Sequence, residues 1–200
     1  IGICVKNGQL DKAASLAQQV VEKMPTALRE LHAAHRSVVE AYLFDTALGV
    51  AYAAAEVDPK LLGDRAEYFF QQASSRYQRM GHVCRYAKCC LRYSCVLYRQ
   101  GHYHEAEYFC SRAIQEMTAS SETSKASSLL ATAFANRAVA AAAQKQVVEA
   151  DTHMKNGVAL LRHLPKLKAE HLQAFDNAVW LIRKLKELWP SNQHKFVQRN

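Results

Sequence analysis

Apolar residues recur at intervals of three and four along nearly the whole chain, and no stretch sustains the strict alternation of a strand. That period predicts an all-α fold of about eight helices. The first spans Asp11 to Glu22 and stops before Pro25, and a long second one runs from about Thr26 to Ala55. Further helices are predicted at Leu61 to Arg79, Val83 to Arg99, Tyr103 to Met117, Lys125 to Gln144, Val147 to Arg162 and Lys166 to Leu188. The clearest interruption is "EVDPKLLGD", where the residue before Pro59 avoids helical dihedrals. "TASSETS", residues 118 to 124, is rich in N-cap residues and reads as a linker. Connections this short between helices imply antiparallel hairpins.

Composition supports helices. Ala makes up about one residue in six, while Gly and Pro number only 7 and 4, so the best helix former is abundant and the two breakers are scarce. No run of about 20 uncharged apolar residues exists to span a membrane, and residues 1 to 25 lack a secretory leader's basic start and apolar middle. The chain opens at Ile1 rather than Met, which suggests a piece of a longer protein. The six cysteines (Cys4, Cys84, Cys89, Cys90, Cys95, Cys110) crowd onto helical sequence rather than spacing out along loops. They are expected to be reduced thiols of an intracellular protein, cytoplasmic or nuclear.

A period is visible once small residues are aligned. "HEAEYFC" around Ala106 is echoed by "GDRAEYFF" at Ala66, "VVEADTHM" at Ala150 and "QLDKAASLA" at Ala13. The last three anchors in chain order lie 40 and 44 residues apart, in the range of helix-hairpin repeats. The pattern resembles the tetratricopeptide repeat (TPR), and its opening stretch resembles the long repeats of kinesin light chains. The resemblance puts Ser94, Gly101, Ala106 and Ala113 at the family's positions eight, fifteen, twenty and twenty-seven. Ala138, Ala150 and Gly157 take positions eight, twenty and twenty-seven of the next unit, where Lys145 replaces the turn Gly. Leu48, Gly49 and Tyr52 take seven, eight and eleven of the earlier unit. The resemblance implies tandem antiparallel hairpins stacked as a right-handed α-solenoid over residues 1–163, the first repeat truncated. An amphipathic capping helix over 164–189 and a tail over 190–200 follow.

Catalytic and metal chemistry find little support. His102 and His104 flank a turn, and residues two apart do not share a helix face. Cys84, Cys89, Cys90 and Cys95 have spacings of five, one and five rather than a zinc site's C-x-x-C, so they read as packing residues. No nucleophile elbow and no phosphate-cradling Gly loop is present. The chain is expected to be no enzyme, with no metal and no cofactor.

Charge is more telling. The formal net charge is +8, and no acidic residue lies between Glu67 and Glu105, where Arg76, Arg79, Arg85, Lys88, Arg92 and Arg99 do. Arg85, Lys88, Arg92 and Arg99, spaced three, four and seven, form one stripe on a helix. In the TPR family the first helix of each unit lines the concave groove. Lys88 and Arg92 fall at positions two and six there, similar to the lysine and arginine that grip carboxylates in chaperone-binding members. Asn136, at position six of the next unit, matches the Asn that holds a peptide backbone. Ala47 and Gly2 stand where the full clamp has other residues, so a complete chaperone-tail clamp is not expected.

The expected function is a protein-interaction scaffold or adaptor, a subunit of a larger complex. It would bind an acidic or extended peptide segment through Lys88, Arg92 and Asn136, with Arg85 and Arg99 steering. A second reading puts the stripe on RNA phosphates, with Tyr77, Tyr86, Tyr93 and Tyr98 stacking on bases. A third makes the chain a structural subunit with every surface occupied. In the last helix Leu172, Phe175, Val179, Ile182 and Trp189 form an apolar stripe suited to covering the final repeat. Trp180 lies off that stripe, available for docking a partner.

Overall fold

The structure, a computed structural model, describes residues 33–55, 60, 63–120 and 123–161. It also describes Gln9, Lys12, Ala13, Ser15, Leu16, Gln19, Glu22 and Lys23 near the start, and Asp176, Val179, Trp180, Ile182 and Arg183 near the end. Six helices are bounded among these: α1 (Ala33–Ala54), α2 (Gly63–Arg79), α3 (Val83–Arg99), α4 (Tyr103–Ala119), α5 (Thr123–Ala143) and α6 (Val147–Leu161). The described residues of the predicted first and last helices are also helical. Residues 26–32 of the predicted long helix, Pro25, Gly2, most of "EVDPKLLGD", both edges of the predicted capping segment and the tail lie outside the described residues. No strand occurs among the described residues, and the fold is an all-α helical repeat.

Successive helices pack as hairpins, α1 with α2, α3 with α4 and α5 with α6, and each hairpin docks on the next through α2–α3 and α4–α5. In addition the backbone of α3 comes close to both α1 and α5, whereas the described residues of α2, α4 and α6 show no such backbone approach to one another, α2 meeting α4 through side chains, Phe70 on Phe109. The first helices therefore form a continuous layer. The backbones of the second helices stand farther apart behind it, which makes the α1–α3–α5 side the inside of the curve.

The hairpin turns follow from backbone chemistry. Gly81 and Gly101 adopt φ of 69° and 86°, and Lys145 adopts 65°. At each, the next residue's N–H reaches back five residues: His82 to Tyr77 O (2.9 Å), His102 to Leu97 O (2.9 Å) and Gln146 to Ala141 O (3.0 Å). The left-handed residue itself bonds three back, to Gln78, Tyr98 and Ala142. These are Schellman ends, which satisfy carbonyls that the helix terminus would leave orphaned. Lys145 performs the Gly's task at a steric cost, since a Cβ disfavours the left-handed region.

The repeat anchors are core residues. Ala13, Ala66, Ala106 and Ala150 are all buried, as are Ala73, Ala113 and Gly157 seven positions later in their helices. Ser94, at position eight, is buried and receives the Cys110 Sγ at 3.3 Å, so the small residue does let α4 close on α3. Phe70, Tyr93 and Phe109 join α2, α3 and α4: Phe70 stacks on Tyr93 at 4.7 Å, and Phe109 meets both edge-on at 5.0 Å. Such pairs add to area burial. A second cluster joins Ala131, Ala135, Ala138, Ala142, Ala150 and Met154, and it includes Ile182, with Val179 packed against it. Ile182 and Val179 thus lie on the apolar face of the last hairpin, while Trp180 stands 61% exposed.

Candidate functional site on the inner helices

The basic stripe lies on α3, at the middle of the inner layer. Its four cations have four different surroundings. Lys88 is exposed. Arg85 is exposed too, but its guanidinium lies 5.7 Å from the Tyr77 ring centroid. Arg99 is half-buried over the Tyr52 ring at 5.5 Å, which ties α3 to α1 by a cation–π contact. Arg92 is ion-paired: its Nη1 donates to the Asp45 carboxylate and, at 3.1 Å, to the Asp45 carbonyl oxygen. The two side chains are 26% and 13% exposed, so the pair is partly withdrawn from water and holds more tightly than a surface pair would.

The stripe is therefore less acid-free in space than in sequence. Arg76, from the same acid-free segment, pairs with Glu40 of α1 at 2.9 Å while lying over Phe44 at 5.0 Å. Both acids come from α1, 36 and 47 residues earlier in the chain. Sequence reasoning missed Asp45 and Glu40 because it looked for acids along one helix. The repeat register could have found Asp45: position six of one inner helix faces the stretch around position eight of the helix before. Gly49 occupies that position, and a Cβ built there would stand 3.5 Å from the Arg92 guanidinium. The arginine thus lies over the backbone of α1.

Asn136 sits on α5 and donates its Nδ2 to Cys95 Sγ at 3.4 Å, so it is turned toward α3 and is half-buried. Lys88, Arg92 and Cys95 share one inner row of α3, and Asn136 borders that row from α5. Trp180 belongs to a different place, the last helix beside the α5–α6 cluster, and does not join this row.

The cysteines are core residues. Cys89, Cys90 and Cys110 are buried, and burial pushes each thiol well above its ordinary value, Cys90 to about 12. At Cys89 the Asp45 charge adds to burial, and its thiol donates to Asp45 Oδ1 at 3.6 Å. Neutral thiols in apolar surroundings are poor nucleophiles and poor ligands. Among the described residues no group of three or more His, Cys, Asp or Glu could hold a metal ion. His102 and His104 are exposed at the α3–α4 turn, where His102 approaches Glu105 at 3.6 Å. Tyr103 between them packs on Tyr98 at 5.3 Å, as a turn-packing aromatic should. The tyrosines invoked for base stacking are engaged in the fold: Tyr77, Tyr86 and Tyr93 are buried, and Tyr98 is half-buried against Tyr103.

Comparison with known proteins agrees with this architecture. The class is that of TPR-like helical repeats. Among solved structures the chain is similar to a TPR-like protein of Chlorobium tepidum, with a TM-score of 0.60 at 20% identity. The match covers 75% of this chain and 96% of that one. No family model matches the chain, and no curated protein matches it. Among the described residues no helix is long and apolar enough to cross a membrane.

Proposed function

We propose that the chain is a non-enzymatic protein-interaction scaffold of the TPR-like kind, an intracellular adaptor within a larger complex. Its inner face takes an extended, acidic segment of a partner protein. The observation that carries this reading is the continuous inner layer, in which α3 packs between α1 and α5 and leaves the Lys88 ammonium in solvent on that side. A short side of a curved stack offers an extended chain contacts from several repeats at once. Lys88 supplies a mobile positive charge, Asn136 an amide able to turn to a peptide backbone, and Arg85 and Arg99 raise the local potential. The kinesin-light-chain-like character of the opening repeat belongs to the same proposal. Trp180 is proposed as a secondary docking residue on the last helix.

The test is affinity capture from lysate with the wild-type chain and its Lys88→Glu variant, each with and without nuclease, after circular dichroism has matched their folds. A protein retained by the wild type and lost by the variant supports the reading. Retention that depends on nucleic acid, or partners indifferent to Lys88→Glu, overturns it.

A further inference from the structure

We infer that Asp45 is an internal competitor for the groove: in the free protein its carboxylate occupies Arg92, and an acidic partner must displace it to use that arginine. The inference rests on the inner face being an acidic-segment groove, and it names the residue that sets the threshold for entry.

Three observations converge on it. First, Arg92 lies one helical turn from Lys88 on the inner row, so the two cations are about 5–6 Å apart at their Cβ atoms. Alternate residues of an extended segment, about 7 Å apart, could address both. Second, the Arg92 Nη1 is already held by the Asp45 carboxylate and the Asp45 carbonyl oxygen. A guanidinium carries five N–H donors in a fixed plane, and the two on Nη1 are both taken, so its end-on Nη1/Nη2 fork is closed to an outside carboxylate while Asp45 holds it. Third, both partners are seated rather than loose. Asp45 also accepts from the Cys89 thiol, and the guanidinium lies over α1 at Gly49, where no side chain intervenes. A partner carboxylate therefore meets Lys88 first and gains the end-on fork of Arg92 only by replacing a contact of the same chemistry. A lone carboxylate gains little from that exchange, and a segment with acids on alternate residues gains both cations. Asp45 thus discriminates against sparsely acidic segments.

The test is a titration of fluorescein-labelled, end-capped hexaglutamate, read by anisotropy at low salt. The proteins are the wild type, Asp45→Asn, Lys88→Ala and, as a control for net charge, Glu40→Gln. Glu40 is an acid of the same helix, paired with Arg76 instead. Asp45→Asn keeps the shape of the side chain and removes the competing charge. It should bind about fivefold more tightly than the wild type, the scale of one modest ion pair. Glu40→Gln should change binding less than twofold, and Lys88→Ala should weaken it. Equal binding by Asp45→Asn and the wild type, with Lys88→Ala weakened, overturns the competitor and leaves the groove standing. Equal gains in Asp45→Asn and Glu40→Gln overturn it too, since net charge alone would then explain both. Absence of binding by every protein, or indifference to Lys88→Ala, removes the groove itself and the competitor with it. Should Asp45→Asn fail to fold, the Arg92 Nε–H resonance of the unaltered protein decides: it should shift as hexaglutamate is added, and a resonance that stays fixed at saturation overturns the inference.

Discussion

Helices α3 and α5 occupy the same place in successive hairpins, yet they fill it with opposite chemistry. α3 buries Tyr86, Cys89, Cys90, Leu91, Tyr93, Val96 and Leu97, and it reaches α1 through Arg92 and Arg99. α5 buries Ala131, Ala133, Ala135, Ala138, Ala140, Ala141 and Ala142, each fully inaccessible. Large side chains fill the interior around the first helix, and bare methyl groups line it along the second. The two apolar clusters share α5, with Ala133 and Ala140 turned to one and Ala131, Ala135 and Ala138 to the other. A helix buried on two faces in this way has little room for anything but alanine. Repeat position thus fixes where a helix goes, and side-chain size fixes how near its neighbours come.

Substitutions can sharpen that contrast. The largest effect is expected around α3: Phe70→Ala removes the ring that packs on both Tyr93 and Phe109 and should destabilise by about 3–5 kcal/mol in urea denaturation. At α5 the damage runs the other way, because Ala138→Leu adds volume where no space exists and should cost about 1–3 kcal/mol. A small loss for Ala138→Leu would show that α5 is not closely packed. The turns come next. Gly101→Ala should cost about 1–2 kcal/mol through backbone strain alone, since a Cβ there would meet nothing within 4 Å. Lys145→Gly should raise stability by about 1 kcal/mol, because it relieves the same strain in the α5–α6 turn. Equal effects of opposite sign at the two turns would establish their equivalence.

The smallest effect, absent at neutral pH, comes from the thiols. Cys89, Cys90 and Cys110 have folded values raised above the ordinary 9.0, so their neutral forms stabilise the fold fully below pH 9. That contribution falls as pH climbs toward the value of about 12 at Cys90. Denaturation midpoints should therefore be flat from pH 7 to 8.5 in this respect and decline at pH 10. A Cys90→Ala variant, if folded, should decline less steeply.

Much of the fold was legible because repeat signals are local and redundant. Val83 to Arg99 was bounded correctly at both ends by the turns at Gly81 and Gly101, and the alanine anchors at 66, 106 and 150 are all buried. The linker at 118–124 was read too long: α4 runs on to Ala119 and α5 begins at Thr123, since Ser and Thr near a helix end serve either state. The left-handed Lys145 was visible only as a missing glycine. The site was harder, because its electrostatics cross between hairpins. An acid-free stretch of sequence predicted a bare basic stripe, but Asp45 reaches Arg92 of that stripe from α1, and Glu40 of the same helix pairs with Arg76 of α2. Only the register between hairpins, set by packing, brings Asp45 to Arg92.

The most direct test of the account is where a ligand touches the stack. Backbone amide shifts should be mapped while end-capped hexaglutamate is titrated into the folded chain. Changes centred on Lys88, Arg92, Cys95 and Asn136, with Tyr68 and Tyr108 of the second helices undisturbed, are the predicted result. Changes centred on α2 and α4 would contradict it and move the binding face to the opposite side of the stack.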